Sequence, residues 1–564
     1  MNRDPNNTTT HTPDRGQSLR LSPPASSPAI SFGPFSSGRR VSFGLLGVGL
    51  LAAGLMLVPG RTLANVKLPT ILSDHMVLQR QMPLPIWGWA DPGEKVTVTI
   101  DAQTHTTKAD QEGNWRVILE PLTVGKPRTL VVAGKNRLQV KDILAGEVWL
   151  CSGQSNMQFD VNPSFNSDLA VASAKYPDIR LLTVNTPASQ TPTRNVDGRW
   201  QRCTPETVGS FSAVGYYFGR QLYQILGVPI GLIDNAWGGS SCEAWIRRDR
   251  LEGNPLYQPL MTRWKKTEAE FNVAAERAKY EQRLEGWKKK AAAAKEAGKA
   301  PPRRPRWSNP LANQHRPGNL YHGRLQPIFP FALRGVIWYQ GESNAGRAYQ
   351  YREMFPLMIQ SWREDWAKVD KKLGKFSFYW VQLADFMAEP SKPGDSAWAE
   401  LREAQTMTLD KLPDTGEAVI IDIGDASDIH PRNKLEVAER LARLALAHDY
   451  GLDIVYCSPR YESMKIAAGK VQLKFQDVGG RLQTLDAKQV QGFAIAGKDK
   501  QWVWAQAKIV GPDRIDVWSD AVPEPVAVRY AWANNPVCNV YNNRGLPLTP
   551  FRTDRWPGVT AEAR

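Results

Sequence analysis

The sequence predicts an α/β fold, a doubly wound parallel sheet with β-rich regions before and after it in the chain. Two observations carry this prediction. From about Asp142 to Gly451, apolar strand-like runs alternate with segments whose apolar residues recur at helical spacing. On either side of that region, short runs alternate apolar and polar residues between turns rich in Gly, Pro and Asp, which is typical of antiparallel strands.

The chain begins with a polar tail and an export segment. Residues 1–38 are rich in Pro, Ser, Thr and Asn, so we expect them to be disordered. Arg39-Arg40 then precedes an apolar run from Val41 to Val58 and the small residues of Thr62–Ala64, the pattern of a signal peptide. We therefore predict export to the periplasm or the extracellular space. The apolar run is also just long enough to stay in the membrane as an anchor.

Three regions follow residues 1–64. Residues 65–141 are predicted to be a small β-rich domain, since Val96–Ile100 alternates after an Asp-Pro-Gly turn. Residues 142–456 form the α/β domain, in which Ala213–Leu226 is predicted to be a helix that stops before Gly227. A second helix is predicted after His430, with an apolar stripe made of Leu435, Ala438, Leu441, Ala442 and Ala445. Residues 457–564 return to short β runs.

The net charge of +15 is concentrated in two segments. Residues 1–65 hold six arginines and two aspartates, and an insertion over residues 263–316 holds fifteen Lys or Arg and six Glu, so these segments carry +13. The rest of the chain is near neutral, which argues against a nucleic-acid partner. We interpret the insertion as a solvated helix followed by an extended linker on the surface. A lid, or a docking element for an acidic partner, is the alternative.

Composition adds two expectations. The five cysteines are predicted to be free, buried thiols, because a domain of this size does not need stapling. No Cys-x-x-Cys or His-Glu-x-x-His pair occurs, so no metal site is predicted. Four of the twenty tryptophans flank the motifs described next, where they would either pack in the core or stack on a sugar ring. These are Trp149, Trp237, Trp245 and Trp338.

Polar clusters end three of the predicted strands. Ser155 follows Glu147–Gly153, Asn344 follows Leu333–Tyr339, and His430 follows Ala418–Ile423. Because the carboxyl ends of parallel strands share one edge of a sheet, these side chains can meet there. Of seven histidines, His430 is the one that follows a predicted strand directly and precedes a helix.

Two other motif interpretations fail. Gly341–Arg347 imitates the start of a phosphate-binding loop but lacks the Gly-Lys-Ser/Thr ending. Gly153–Met157 is half of a Gly-x-Ser-x-Gly elbow, with Met157 in place of the second glycine, which argues against an α/β-hydrolase.

The same stretches resemble the SGNH hydrolases, and more closely the sialate O-acetylesterase family of carbohydrate esterases. The resemblance extends over roughly residues 66–555 and implies an SGNH-type, three-layer α/β/α sheet domain without a cofactor. The stretches that carry it are Leu68–Gln79, Gly153–Met157, Ile233–Gly239, Trp338–Asn344, Asp428–Pro431 and Arg529–Pro536.

The resemblance also implies roles for residues. Ser155 would be the nucleophile and His430 the general base, while Gly239 and the Asn344 amide would join the Ser155 N–H as oxyanion donors. Residues predicted to bind substrate are Gln154, Gln340 and Glu342.

The acid that would orient His430 is less clearly marked. The superfamily places it three residues before the histidine, where this chain has Ser427. Asp428 is our prediction for this role and Asp425 the other candidate, and a Ser-His pair oriented by a backbone carbonyl stays open.

The predicted function is the removal of O-acetyl groups from a sugar by a serine esterase. The alternative substrates are acetylated polysaccharides such as xylan, which need the same catalytic residues. A carbohydrate-binding protein without activity is the non-enzymatic alternative. Hydrolysis of an aryl acetate would distinguish it from an esterase.

Overall fold

The computed structural model describes residues 65–563. The predicted tail and export segment over residues 1–64 therefore lie outside the described residues, as does Arg564. Within residues 65–563, no helix is both long and apolar enough to span a bilayer.

Short antiparallel strands begin the described chain. Val96, Val98 and Ile100 are fully buried while the threonines between them are partly exposed, the period of two expected for a strand with one buried face. The strands of this region are β1 (Val77–Gln79), β2 (Leu84–Trp89), β3 (Lys95–Ile100), β4 (Gln103–Lys108), β5 (Asn114–Leu119), β6 (Arg128–Ala133) and β7 (Arg137–Gly153). β2 pairs with β5, and β3 pairs with both β4 and β6.

A mostly parallel sheet lies at the centre of the molecule, which confirms the predicted α/β class. Six further strands join β7 in it: β8 (Tyr176–Thr183), β9 (Gln201–Cys203), β10 (Ile230–Ala236), β11 (Gly335–Tyr339), β12 (Ser377–Val381) and β13 (Thr415–Ala418). The strand order is β13-β12-β11-β7-β10-β8-β9, and every neighbouring pair except β8 and β9 is parallel.

The long strand β7 connects the N-terminal strands to the central sheet. Its first half pairs with β6 in antiparallel fashion, and its last residues pair in parallel with β10 and β11. The predicted domain boundary between residues 141 and 142 falls inside this strand. The domain limits stay a prediction.

Helices lie on both faces of the central sheet. The α-helices of the described residues are α1 (Ser155–Gln158), α2 (Ser167–Ala172), α3 (Pro205–Val208), α4 (Ala213–Leu226), α5 (Arg248–Glu252), α6 (Gln258–Glu270), α7 (Val273–Glu296), α8 (Ala348–Ala367), α9 (Ala397–Thr406) and α10 (Lys434–His448). α4 and α10 share one apolar cluster with Trp149 of β7. On the other face, Trp362 of α8 packs edge-on against Trp338 of β11, with ring centroids 5.8 Å apart.

Both helices predicted from apolar periodicity are confirmed. α4 spans the predicted range and ends at Gly227, which adopts a left-handed conformation with φ of 64°. On α10, Ala438, Leu441, Ala442 and Ala445 of the predicted stripe are buried.

The strand predicted before His430 is shorter than the sequence suggests. β13 ends at Ala418, so the predicted strand over Ala418–Ile423 is wrong and His430 does not follow a strand directly. Val419 and Ile421 pack into the C-terminal apolar cluster instead. The Val419 carbonyl accepts a hydrogen bond from Arg440 of α10 (2.6 Å). These tertiary contacts draw the chain away from the sheet.

Small antiparallel sheets follow α10, as the sequence predicts. The strands are β14 (Arg460–Ala467), β15 (Lys470–Gln476), β16 (Leu482–Thr484), β17 (Phe493–Ala496), β18 (Trp502–Trp504), β19 (Gln506–Gly511), β20 (Arg514–Trp518), β21 (Ala527–Tyr530), β22 (Val540–Asn542) and β23 (Phe551–Arg552). They pair in the orders β14-β15-β20-β19, β18-β17-β21-β23 and β16-β22.

The middle of the insertion extends away from the core. α7 has no buried residue, and the chain after it runs back along the helix. Trp287 donates a hydrogen bond to the Pro302 carbonyl (2.7 Å), and the rings of Tyr280 and Trp307 lie 5.7 Å apart. A solvated helix followed by an extended segment agrees with the surface interpretation for this part.

An ion-pair cluster around Asp142 links the N-terminal strands to the central sheet. Its carboxylate accepts hydrogen bonds from Arg180 (2.8 Å) and Arg202 (2.8 Å) and lies 2.6 Å from His75 Nδ1. Burial alone would raise the pKa of Asp142, but the bonds from Arg180, His75 and Arg202 outweigh burial and hold this pKa well below its usual range.

We expect Asp142→Asn to lower the free energy of unfolding by about 2 kcal/mol at neutral pH, the scale of hydrogen bonds to a charged group. Because the folded-state pKa is depressed, this contribution is complete above the unfolded value of about 4, declines as the pH falls below that value, and is lost once the pH passes through the folded-state pKa. Thermal unfolding at pH 7 and pH 3 measures the difference.

Asp101→Asn is the matched control, since Asp101 pairs with Arg128 but is half exposed and should contribute little. An Asp142→Asn effect of equal size at both pH values would contradict the prediction.

Candidate active site

Ser155 lies where a buried strand turns into a helix. β7 ends at Gly153, and α1 begins at Ser155. Gly153 adopts a φ of 135°, and a Cβ atom on it would lie 2.2 Å from the carbonyl oxygen of Tyr339 on β11. Only glycine fits this close approach, so Gly153 permits the turn that presents Ser155.

His430 reaches Ser155 from the loop between β13 and α10. Its Nε2 atom lies 2.8 Å from Ser155 Oγ, a hydrogen-bond distance between residues far apart in the chain. The imidazole also stacks on Phe159, with ring centroids 6.4 Å apart, and its side chain is 35% exposed. The structure thus brings the predicted nucleophile and the predicted base together and leaves the histidine accessible.

The two candidate acids occupy different positions. Asp428 Oδ1 lies 3.4 Å from His430 Nδ1 and accepts a hydrogen bond from the His430 backbone N–H (2.9 Å). Asp425 accepts bonds from the backbone and the hydroxyl of Ser427, both 2.8 Å. Asp428 is therefore the carboxylate beside the imidazole, but its contact with Nδ1 is long for a hydrogen bond.

The Gly238-Gly239 turn passes beside the nucleophile. A Cβ atom on Gly238 would lie 3.6 Å from Ser155 Cβ, and Gly239 adopts a φ of 69°. Ser343 donates its hydroxyl to the Gly239 carbonyl (2.9 Å), which holds the turn against the motif that follows β11. The backbone next to Gly239 therefore lies close to Ser155.

Asn344 is buried and its amide is fixed by three hydrogen bonds. Oδ1 accepts from the Cys242 N–H (2.9 Å) and from Gln340 Nε2 (2.7 Å), while Nδ2 donates to Glu243 (2.9 Å). The amide nitrogen carries two hydrogens, so one is left for a ligand after the bond to Glu243.

Glu243 is a site residue that sequence reasoning missed. It is almost fully buried and forms an ion pair with Arg347 (2.5 Å). Burial alone would raise the pKa of Glu243, but Arg347 and the bond from Asn344 hold it below its usual value, so the group stays a carboxylate. The sequence signal that could have identified it is a charged residue inside the run Cys242–Trp245, which begins three residues after Gly239.

The structure places Gln340 inside the protein. This side chain is fully buried, its Nε2 donates to the Ser240 carbonyl (3.1 Å) and to Asn344, and its Oε1 accepts from the Tyr351 hydroxyl (2.9 Å). Gln340 therefore uses both amide hydrogens to position its neighbours, and its contact with substrate stays a prediction.

The other two residues predicted to bind substrate also contact neighbouring loops. Gln154 Oε1 accepts a hydrogen bond from the Gly341 N–H (3.3 Å), and Glu342 Oε1 accepts one from Asn156 (2.7 Å). Their direct contact with substrate stays a prediction.

Among the four tryptophans that flank the motifs, Trp149, Trp245 and Trp338 are fully buried core residues. Trp237 is half-buried, and the Arg324 guanidinium lies 4.9 Å from its ring centroid. Of these four tryptophans, Trp237 is therefore the one whose ring is accessible for stacking on a sugar.

One end of the insertion belongs to the site, which the surface interpretation of residues 263–316 did not foresee. The Gln314 carbonyl accepts a hydrogen bond from the Ser241 N–H (3.3 Å), and Gln314 Nε2 lies 3.4 Å from where a Cβ atom on Gly239 would be. Arg316 bonds to Glu268 of α6 (2.9 Å). This part of the insertion supports the glycine turn.

The five cysteines are unpaired in the structure. Cys151, Cys203 and Cys242 are buried, as predicted, whereas Cys457 and Cys538 are partly exposed.

Comparisons with known proteins place the chain among carbohydrate esterases. Residues 145–276 match a family model described as carbohydrate esterase, sialic acid-specific acetylesterase. The sialate O-acetylesterase of Mus musculus is 30% identical over 85% of this chain and 93% of its own length, and that of Homo sapiens is 29% identical over 86% and 93%. A crystal structure of a carbohydrate acetylesterase from Xanthomonas citri superposes with a TM-score of 0.72 at 39% identity, covering 87% of this chain and all of that chain.

A well-formed bond from a triad acid to its histidine contributes about 10⁴ in kcat. Because the contact between Asp428 and His430 is long, we expect Asp428→Asn to lower kcat on an aryl acetate by about 10–100-fold, and Asp425→Asn by less than about threefold. Steady-state kinetics of the two variants measures this. The reverse order would assign the role to Asp425, and two mild effects would favour a Ser-His pair oriented by the backbone.

We expect the exposed arm of the insertion, residues 273–307, to be dispensable for activity. Replacing residues 273–307 by a short Gly/Ser linker should change kcat/KM on the same ester by less than about twofold, since loop length costs little free energy. Gln314→Ala should lower it severalfold, because it removes the side chain that packs beside Gly239 while the Gln314 carbonyl keeps its bond to Ser241. Loss of activity in a correctly folded arm deletion would indicate a lid.

Proposed function

The chain belongs to the sialate O-acetylesterase family of carbohydrate esterases and is a carboxylic ester hydrolase; on this premise we propose that it removes O-acetyl groups from a sugar by a serine-esterase mechanism. The observation that carries the proposal is the 2.8 Å approach of His430 Nε2 to Ser155 Oγ at the end of β7.

In this mechanism Ser155 Oγ attacks the acetyl carbonyl while His430 Nε2 accepts its proton. A serine hydroxyl is a weak nucleophile until a neighbouring base takes that proton, which is why the 2.8 Å distance matters. The tetrahedral intermediate collapses as His430 returns the proton to the sugar oxygen, leaving an acetyl-enzyme. Water activated by His430 then releases acetate and restores Ser155.

Three hydrogen-bond donors are proposed to hold the oxyanion of the intermediate. The N–H of Ser155 at the start of α1, the N–H of Gly239 and the second amide hydrogen of Asn344 are the proposed donors. Glu243 and Gln340 support this role, because their hydrogen bonds to Asn344 keep its amide in one orientation.

Asp428 is the proposed acid, with the long contact to Nδ1 as its support. Asp428 is also half exposed, so its field at the imidazole is weakened by solvent. A Ser155-His430 pair without a strongly coupled acid therefore stays the alternative.

For the substrate we propose an O-acetylated sugar of the sialate type, and a polysaccharide acetyl ester as the second candidate. The relative from Xanthomonas citri is described as a carbohydrate acetylesterase, without a named sugar. This description supports the polysaccharide ester as the second candidate substrate. The exposure of His430 also favours it, since an accessible histidine can act on an acetyl group of a long chain. A panel of acetylated sialosides and acetylated xylan, assayed by acetate release, separates the two.

Two further parts of the proposal concern the whole chain. We propose an SGNH-type central domain, supported by the parallel strand order and by helices on both faces of the sheet. We also propose export to the periplasm or the extracellular space, on the sequence pattern of residues 39–64 alone; the apolar run is either cleaved with the signal peptide or kept as a membrane anchor.

We expect Ser155→Ala to lower kcat on an aryl acetate by at least about 10³-fold, the scale of loss when a triad member is removed, with an unchanged thermal midpoint. Ser164→Ala is the matched control, because that buried serine bonds to Tyr217 and to the Val161 carbonyl away from His430. A Ser155→Ala enzyme that keeps a tenth of the wild-type rate would rule out this nucleophile.

A further inference from the structure

Lys434 is a buried cation close to the site. It is the first residue of α10, four positions after His430, and is fully buried. Burial lowers its pKa to about 7, although Glu342 and Asp428 act in the opposite direction. A cation at a helix N-terminus is also disfavoured by the helix dipole. Burial and the helix dipole thus both disfavour a charged lysine at this position, and the proposed mechanism does not require one.

The Lys434 amine makes one hydrogen bond, which is directed at the residue next to the nucleophile. Its Nζ donates to Asn156 Oδ1 (2.5 Å). The same nitrogen lies 4.9 Å from the ring centroid of Phe159 and 5.3 Å from that of Tyr339. Phe159 is the ring on which His430 stacks, so Lys434 contacts both the segment after Ser155 and the ring that supports the histidine.

Asn156 carries this contact across to the histidine loop. Its Nδ2 donates to Glu342 Oε1 (2.7 Å) and to the backbone carbonyl of Ile429 (3.0 Å). Asn156 follows Ser155, and Ile429 precedes His430. The Asn156 side chain therefore ties the residue after Ser155 to the residue before His430. Both of its N–H groups and its oxygen are hydrogen-bonded.

We propose that Lys434, Asn156 and Glu342 form a positioning clamp that holds His430 within reach of Ser155. The proposal rests on the roles proposed above for Ser155 and His430, and it assigns the three residues no contact with substrate.

The direction of each bond explains why a lysine and a glutamate are needed. An asparagine amide can rotate by half a turn and exchange its oxygen and nitrogen. A donor at Oδ1 and an acceptor at Nδ2 allow only the orientation in which Nδ2 faces the Ile429 carbonyl. The loop before α10 is long, and the contact between Asp428 and His430 Nδ1 is weak. The hydrogen bond from Asn156 Nδ2 to the Ile429 carbonyl is therefore a main restraint on the imidazole.

The experiment measures kcat and KM on an aryl acetate, together with the rate at which phenylmethylsulfonyl fluoride modifies Ser155. We expect Lys434→Met and Asn156→Ala each to lower kcat and the modification rate by about 30–100-fold, the effect of moving a catalytic group by about an ångström, with KM within about threefold. The double variant should be no slower than the slower single variant, because both changes open one clamp.

Glu342 provides a conservative pair of variants. Glu342→Gln keeps an acceptor for Asn156 Nδ2 and should lower kcat clearly less than Glu342→Leu, which should fall as far as Lys434→Met. Arg180→Met removes another buried cation, one bonded to Asp142 at the amino ends of the strands, and should lower the thermal midpoint while sparing kcat. Where Lys434→Met does not fold, Asn156→Ala and the Glu342 pair decide.

A folded Lys434→Met enzyme with more than a third of the wild-type kcat would overturn the clamp, and so would losses that multiply in the double variant. Ser155→Ala serves as the reference in the same assays. If that variant stays active, the proposed nucleophile fails; if it is inactive while Lys434→Met is active, only the clamp fails.

Discussion

The register of three parallel strands at Gly153 is the constraint on which the site depends. Gly153 pairs with Ala236 of β10 on one side and with Tyr339 of β11 on the other. The polar segments that follow these strands therefore start at one level of the sheet edge, as ligand sites in parallel sheets do. A side chain at residue 153 would collide with the Tyr339 carbonyl, so the glycine allows β7 and β11 to keep this register up to the turn before Ser155.

Two buried polar networks fix the groups that this register brings together. In one, Glu243 accepts from the Asn344 amide and is paired with Arg347; in the other, Lys434 donates to the Asn156 amide oxygen and Glu342 accepts from its nitrogen. Each network thus contains an asparagine, a carboxylate and a basic side chain. Burying charged groups adds little net stability, because desolvation offsets their attraction. What these groups provide is direction, since each one decides which way an amide turns.

The insertion shows how one segment can combine two physical roles. Its helix α7 has no buried residue and carries local charge pairs such as Arg277 with Glu281. Its last residues pack against the Gly239 turn through Gln314. Composition describes the helix well, because a polar helix has no buried face to conceal. It does not reveal Gln314, because a single glutamine has no periodicity and acquires its role only when the chain folds back.

The sequence by itself determined the α/β class and the helices over Ala213–Leu226 and after His430, because apolar periodicity is a local pattern. It also named Ser155 and His430 as candidates, but their 2.8 Å contact depends on the fold. Tertiary structure decided the rest. β13 stops at Ala418 because Val419 and Ile421 find a better apolar environment in the C-terminal cluster, which no local pattern encodes. Gln340 turned inward, and Glu243 and Lys434 gained roles beside the site, because the hydrogen-bond partners of a buried polar group come from segments distant in sequence.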